Sequence, residues 1–203
     1  MPHTSLVIGS IEVIPLCDAR VPLAIAEEFP LELDEGWEPF HEAYPWAFLG
    51  PATWDYHIHA FVLRTPNGLV LVDTGIGTEA PQAWGDVDGS LAVELAIAEV
   101  EPTDIDHVVH THLHLDHIGG AIQPDGEPRF PFATHHVHPA DWEAFLEAED
   151  PDDRGAFERM IRPLADRDRL NVAEPDHAIV PRCRGPTRAR SHAGPPSRGG
   201  RER

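Results

Sequence analysis

A predicted strand pair near the middle of the chain most constrains its fold. Residues 57–65 and 69–73 are apolar runs, and the Pro-Asn-Gly sequence between them is typical of a hairpin turn. The second run continues as LVLVDTG, a continuous apolar strand that ends in Asp-Thr-Gly. Other predicted strands alternate with helical patterns, which favours a layered α/β domain. These strands lie at 11–17, 104–109 and 132–137, and the helices at 90–101, 139–149 and 155–166.

Residues 21–56 are rich in proline, acidic and aromatic residues, and we predict a long loop there. A loop of this length inside a compact domain is commonly functional. Its aromatic side chains either pack over a functional site or cover a sheet edge, and the sequence leaves both interpretations open. Residues 150–153 are predicted to link two helices.

The charge and hydropathy of the chain disfavour several classes of function. The 203 residues include 15 basic and 35 acidic side chains, for a net charge of −20, and this charge disfavours binding to nucleic acid or to an anionic membrane surface. No run approaches the roughly 18 apolar residues of a membrane span, and the N-terminus does not have the pattern of a signal peptide. Cys17 and Cys183 are far apart in sequence. We therefore expect a cytoplasmic protein with a small-molecule substrate, whose oligomeric state the sequence leaves open.

The segment THLHLDHIGG at residues 111–120 carries the clearest chemistry. His112, His114 and Asp116 alternate, so on an extended chain they point to one side. A turn would bring His117 to face a second ion, and we expect Gly119 and Gly120 to give the backbone that freedom. Imidazole and carboxylate together suit zinc, iron or manganese, and two such ions can share and activate a hydroxide.

The 14 histidines also allow interpretations that involve no metal. The segment could be a histidine-rich surface loop. Histidines on predicted strands favour a structural role, namely His57, His59 and His107. Three further histidines lie where a strand leads into a helix, and packing is the preferred interpretation for His135, His136 and His138. His110 is interpreted as a residue of a pocket wall.

The segment 111–120, together with the upstream LVLVDTG strand, its hairpin and the intervening helix, resembles the metallo-β-lactamase superfamily over about residues 6–181. The resemblance implies an αββα sandwich with a dinuclear site, most simply two Zn²⁺ ions, with iron or manganese as alternatives. In that family the equivalents of His112 and His114 bind one metal, and those of Asp116 and His117 bind the other. Asp116 would also orient the bridging hydroxide, and Asp73 would fix the orientation of an imidazole.

The resemblance implies a hydrolase in which a hydroxide held by the metals attacks an ester, lactone, amide or thioester carbonyl, or a phosphoester. Residues 17–20 and 44–46 are similar to a hydrolase subgroup near the lactonase and organophosphate-hydrolase branch. An iron-dependent redox branch is disfavoured, because its flavin-binding partner domain is not found in this sequence.

Three further family ligands are not identifiable: a histidine in a Thr-Pro-Gly-His segment, a bridging aspartate and a final histidine. The sequence is therefore interpreted as the N-terminal portion of the sandwich over residues 1–181, with the C-terminal half missing and a disordered tail at 182–203. Because two protein ligands per ion are fewer than the usual three, we expect weak metal binding and little or no turnover. A non-catalytic metal-binding or interaction protein is the alternative.

The tail at residues 182–203 has seven of the 15 arginines, one acidic residue and none of Val, Ile, Leu, Phe, Trp or Tyr. Residues 1–181 hold eight arginines and 34 acidic residues, a charge of −26. Omitting one cytosine after the Pro181 codon would let the codons regroup to give Gly-Val and, further on, Thr-Pro-Gly-His. The absence of lysine also fits GC-rich coding. We therefore predict a frameshifted end, with a true basic arm as the alternative.

Overall fold

The computed structural model describes residues 4–29, 36–78, 84–172 and 178–180. The tail prediction for 182–203 lies outside the described residues. The described strands are β1 (Leu6–Ile8), β2 (Ile11–Ala24), β3 (Phe48–Gly50), β4 (Thr53–Thr65), β5 (Gly68–Val72), β6 (His107–Val109), β7 (Thr134–Val137) and β8 (Leu170–Val172). The α-helices are α1 (Ile25–Glu28), α2 (Glu38–Ala43), α3 (Leu91–Ile97), α4 (Leu115–Ile118), α5 (Pro139–Leu146), α6 (Pro151–Met160) and α7 (Arg162–Ala165). Short 3₁₀ helices lie at Pro45–Ala47 and Pro102–Asp104.

The strands form one mixed sheet in the order β1-β2-β4-β5-β6-β7-β8, and β3 pairs with β4. Pairs from β1 to β5 are antiparallel, whereas β5, β6, β7 and β8 pair in parallel. Helices of this α/β chain follow the parallel strands, as crossover connections require. The predicted hairpin, the helix after Ser90 and the alternation of strands and helices are confirmed.

One face of the sheet packs into the core. Leu16, Val62, Leu71 and Val108 are fully buried there together with Leu95 of α3. A second cluster of buried apolar side chains includes Val137 of β7 and residues of α4, α5, α6 and α7. On the opposite face, side chains such as Leu63, Val72 and Val109 are half-buried and Phe61 is 37% exposed. No second sheet is present among the described residues, and no helix in those ranges has the length and apolar character to span a membrane.

The predicted loop at 21–56 is wrong for much of its described length, and its residues 30–35 lie outside the described residues. β2 continues to Ala24 because Val21 and Leu23 are buried and pair with β4, and two short α-helices, a 3₁₀ helix and β3 follow among the described residues. Proline and acidic residues gave this segment a loop-like composition, but strand pairing over a long sequence separation outweighs that local preference.

The predicted linker at 150–153 is also wrong. Asp150 caps helix α6 by accepting hydrogen bonds from the amides of Asp152 and Asp153, and Pro151 occupies the first turn. Both features are favourable at a helix N-terminus, so α6 begins at Pro151 and not at Gly155.

His110 lies in the core and not in a pocket wall. It is 4% exposed, and its Nε2 lies 3.0 Å from Nδ1 of the fully buried His135, with the two rings stacked 5.3 Å apart. Burial lowers the pKa of His110 to about 4 and also lowers the pKa of His135. Both rings are therefore neutral in the folded chain at neutral pH.

This buried pair predicts an acid-sensitive fold. Well above the ordinary imidazole pKa of about 6.5, both rings are neutral in the folded and unfolded chain, so their contribution to stability is complete there. As the pH falls towards 4, only the unfolded chain takes up these protons, and the free energy of unfolding should fall by about 2–3 kcal/mol from His110. Urea unfolding of a His110→Gln/His135→Gln variant should show a flatter pH dependence than the parent chain. Identical slopes would contradict this assignment.

Candidate metal centre

The predicted ligands follow the end of strand β6. His112 and His114 lie in the loop after Val109, while Asp116 and His117 belong to the short helix α4. The ring of His112 lies 3.9 Å from that of His117 and 4.8 Å from that of His114, measured between centroids. The structure therefore brings the three imidazoles of the motif to one place at the end of the sheet.

Asp73, directly after β5, ties this loop to the sheet. It is 5% exposed, and its Oδ1 accepts a 2.8 Å hydrogen bond from the Thr111 amide. Its Oδ2 lies 2.8 Å from both Thr111 Oγ1 and His117 Nδ1. Asp73 also has φ of 59°, an uncommon conformation for a residue other than glycine. Asp73 thus contacts one of the imidazoles that it was predicted to orient.

The hydrogen-bond pattern favours one tautomer for two of the rings. An ionised Asp73 can only accept, so Thr111 donates its hydroxyl proton to Asp73 and His117 donates from Nδ1. Thr111 Oγ1 can then accept from Nδ1 of His112, 3.2 Å away. These assignments keep a proton on Nδ1 of each ring, so that Nε2 is the nitrogen available to a metal.

Asp116 has a partner that the sequence analysis did not foresee. The hydroxyl of Tyr56 in β4 donates a hydrogen bond to Asp116 Oδ2, and the same oxygen lies 3.3 Å from His117 Nε2. Tyr56 was assigned only to the predicted loop. A strand prediction extending to residue 53 would have carried this strand beyond its last pair with β5, Phe61 with Val72, and raised Tyr56 as a candidate.

The two carboxylates set the charge of the site. Burial alone would raise the pKa of Asp116, but hydrogen bonds from His117 and Tyr56 lower it to about 2. Burial alone would lower the pKa of His117, but Asp116 and Asp73 together raise it to about 9. Without a metal, His117 therefore carries a proton on Nε2 facing Asp116, where a cation is stabilised.

The donor atoms in this arrangement are of the kinds that bind zinc. A carboxylate oxygen of Asp116 and the Nε2 of His117 face each other, and imidazole and carboxylate are common zinc ligands. The fourth predicted ligand, His114, is more open: its side chain is 54% exposed and its Nε2 lies 4.0 Å from Asp153 Oδ2. Across the described ranges, no group of three or more His, Cys, Asp or Glu side chains converges as a finished metal site. Ligand roles for these residues stay predictions.

Gly119 and Gly120 serve a purpose other than the predicted one. Gly119 is helical, with φ of −58°, and neither residue has a positive φ. Both lie against the loop after β5: a Cβ on Gly120 would be 2.1 Å from the Thr74 carbonyl oxygen, and one on Gly119 would be 2.1 Å from that of Ile76. The glycines are thus required for close backbone packing. A 2.7 Å hydrogen bond from the Thr74 amide to the His117 carbonyl lies in the same contact.

Five other described histidines lie outside this group: His57, His59, His107, His136 and His138. His57 and His59 are half-buried on β4, and His57 lies 3.0 Å from Asp55. His107 Nδ1 lies 3.1 Å from His136 Nε2. His138 caps helix α5 by accepting from the Ala140 amide. Their positions agree with the structural roles preferred for them from the sequence.

Known proteins with similar sequences include N-acyl homoserine lactonases and probable metallo-hydrolases. An N-acyl homoserine lactonase AttM of Azorhizobium caulinodans is 30% identical over 105 residues, covering 44% of this chain and 38% of the relative. A probable metallo-hydrolase of Mycobacterium bovis, Mb2322c, is 32% identical over 114 residues, covering 50% and 35%. The chain thus spans less than two-fifths of the length of these curated relatives.

The fold of this chain is similar to that of solved hydrolase structures. The hydrolase AbOPH of the beta-lactamase superfamily superposes with a TM-score of 0.69 at 22% identity, covering 88% of this chain and 62% of that one. The dizinc quorum-quenching lactonase AidC gives a TM-score of 0.67 at 19% identity, covering 88% and 63%. The family model for the metallo-beta-lactamase superfamily matches residues 53–199. That match covers most of the chain, and we conclude that the chain belongs to the metallo-beta-lactamase superfamily.

Proposed function

We propose that this chain carries the metal-binding part of a zinc-dependent hydrolase acting on an ester or lactone. The single observation that carries the proposal is the contact series Asp73, His117, Asp116 and Tyr56, which directs one imidazole and one carboxylate at the same point. His112 and His114 would hold a first zinc ion, and Asp116 and His117 a second. When bound, zinc polarises a carbonyl group and lowers the pKa of a water molecule.

Each protein group has a separate task in this proposal. Asp73 keeps a proton on Nδ1 of His117, so that Nε2 is free for a metal. Tyr56 holds Asp116 by its hydroxyl, which leaves the second carboxylate oxygen available to orient an attacking water molecule. The lactonase function of AttM and the dizinc centre of AidC, as their names state, favour a lactone and two zinc ions.

The test is hydrolysis of a panel of neutral esters and lactones by the chain with zinc, after removal of zinc by a chelator, and after zinc is restored. We expect slow turnover that disappears with the chelator and returns with zinc, because two protein ligands per ion give a weakly held metal. Asp116→Asn should reduce the zinc-dependent rate by about 100-fold or more. Zinc binding without any turnover would favour a non-catalytic metal-binding protein, and chelator-insensitive turnover would contradict a metal-dependent reaction.

A further inference from the structure

A buried carboxylate outside the proposed ligand set connects strand β2 to two other segments of the chain. Asp18 is 1% exposed, and each of its carboxylate oxygens accepts a hydrogen bond from a backbone amide. Oδ2 accepts from Ile76 in the loop after β5 at 2.7 Å, and Oδ1 accepts from Leu91 at the start of helix α3, also at 2.7 Å. Because burying a carboxylate is costly unless its oxygens are hydrogen-bonded, these contacts fix both segments relative to β2.

The strand pairing explains why the Asp18 side chain points at these segments. The residues on either side of Asp18 in β2 pair with consecutive residues of β4, Ile58 and His59, so Asp18 is the extra residue of a β-bulge. A bulge directs a side chain away from the regular alternation of the strand, and bulges are frequent beside active sites. The backbone is held there as well, because the Asp18 carbonyl accepts from the Ser90 amide at 2.8 Å and from its hydroxyl at 2.6 Å. The direction of the carboxylate is therefore fixed.

Two glycines let the backbone come close to the Asp18 carboxylate. A Cβ on Gly89 would be 2.7 and 2.8 Å from its two oxygens, and a Cβ on Gly75 would overlap with Oδ2. Gly75 also has φ of 71°, in the left-handed region that favours glycine. The glycine that ends the LVLVDTG segment is therefore matched to Asp18 and not to a proposed metal ligand.

The loop after β5, residues 73–77, connects Asp18 to the candidate metal centre and is buried along its whole length. Its first residue, Asp73, contacts Nδ1 of His117. Thr74 donates from its amide and from its hydroxyl to the His117 carbonyl, at 2.7 and 3.1 Å. The same short loop thus contacts both Asp18 and His117, and a displacement at one contact is transmitted to the other because tightly packed buried segments cannot deform freely.

We propose that Asp18 is a positioning residue of the metal centre, which fixes the loop after β5 and thereby the orientation of the His117 imidazole. Asp18 itself would contact neither the metal nor the substrate, and its effect reaches His117 through Asp73 and Thr74. Because His117 is a ligand only in the proposed function, the positioning role rests on that function. It concerns the geometry of the bound metal, however, and is measured without turnover.

The experiment compares Asp18→Asn with Asp106→Asn in the full chain. Asp18→Asn keeps the size of the side chain, but its amide group cannot accept from Ile76 and Leu91 together. Asp106 is the matched control, because its carboxylate accepts a 2.9 Å hydrogen bond from the Leu69 amide at the opposite end of β5. Competition with a chromophoric chelator measures zinc affinity, and the visible spectrum of bound cobalt(II) reports the geometry of its ligands. We expect about tenfold lower zinc affinity and a changed cobalt(II) spectrum in Asp18→Asn, and parent values in Asp106→Asn.

A role of Asp18 in folding alone would give a different result. Loss of stability lowers the folded fraction, which urea unfolding measures, but the chain that remains folded would bind cobalt(II) with the parent spectrum. Gly89→Ala is the second variant, because it keeps the carboxylate and displaces it. The added Cβ would be nearest to the two oxygens of Asp18, which can rotate away, and 2.9 Å from the Gly77 carbonyl oxygen in the loop after β5. This variant should change zinc affinity and the cobalt(II) spectrum with a smaller loss of stability.

A folded Asp18→Asn variant with parent zinc affinity and parent cobalt(II) spectrum would overturn the proposal, as would equal changes in Asp106→Asn. If Asp18→Asn does not fold, parent values in Gly89→Ala would overturn it. Hydrolysis of esters and lactones by the zinc-loaded parent chain is assayed in parallel. Metal binding that depends on Asp18 without any hydrolysis would contradict the proposed function and leave the positioning role intact. Hydrolysis with metal binding that neither variant changes would contradict only the positioning role, and a parent chain that binds neither metal would overturn both.

Discussion

The His117→Ala variant is expected to lose zinc affinity by more than the roughly 10- to 100-fold that removing an outer partner of a metal ligand costs. His117 contacts both carboxylates of the site, through Nδ1 to Asp73 and through Nε2 to Asp116. Its removal deletes a proposed ligand and leaves two mostly buried carboxylates without their cationic partner. Competition with a chromophoric chelator measures the change in affinity.

Two further variants make this result specific. Asp73→Asn keeps the size of the side chain but removes its charge, and it should lower zinc affinity by roughly 10- to 100-fold. His107→Ala is the matched control, because its ring contacts His136 and no residue of the site. Zinc affinity that stays the same in His117→Ala, or that falls equally in His107→Ala, would contradict a role for His117 as a ligand.

The Gly120→Ala variant is expected to lose about 3 kcal/mol of folding free energy, at the upper end of the usual cost of overpacking. The added Cβ would be 2.1 Å from the carbonyl oxygen of Thr74 and 3.5 Å from Leu91 Cδ2. The nearer atom belongs to the backbone and cannot rotate away, so the loop after β5 must move. That loop contains Asp73, and zinc affinity should therefore fall together with stability.

Urea unfolding measures this loss, and Gly50→Ala is its control. A Cβ on Gly50 would meet no atom within 4 Å, so its stability should change by no more than about 0.5 kcal/mol. Gly120→Ala and Gly50→Ala with equal unfolding midpoints would show that the close approach of the two backbones is not needed for the fold.

Local sequence signals were sufficient for the parts of the fold made from neighbours in sequence. The hairpin of β4 and β5 has its turn residues between two apolar runs, and helix α3 follows a regular apolar repeat. The proposed ligands of the motif also lie within ten residues, so their proximity could be predicted. Asp73 was identified through the family resemblance, and its hydrogen bonds to Thr111 and His117 agree with that expectation.

Long-range contacts explain what the sequence did not reveal. β2 reaches Ala24 because β4 pairs with it, and a register shift between Cys17 and Ala19 interrupts that pairing. The shift lies at Asp18, whose carboxylate accepts hydrogen bonds from the amides of Ile76 and Leu91. The contact between Tyr56 and Asp116 spans 60 residues. No periodicity or local turn pattern predicts such a pair.

The packing role of Gly119 and Gly120 was missed for a similar reason. Glycines in a turn-like segment suggest conformational freedom, but here neither residue has a positive φ and the constraint is imposed by a different loop. Only the three-dimensional arrangement shows that the backbone of residues 74–76 occupies the space of the missing side chains.

Zinc K-edge X-ray absorption on the zinc-loaded chain tests most directly whether the segment from His112 to His117 is a metal centre. We expect a shell of nitrogen and oxygen at about 2.0–2.1 Å with outer scattering from imidazole rings. This imidazole scattering should fall sharply when His112→Ala and His114→Ala are combined. Zinc that keeps the same scattering in the double variant would be bound elsewhere in the chain, and that result would contradict the proposed centre.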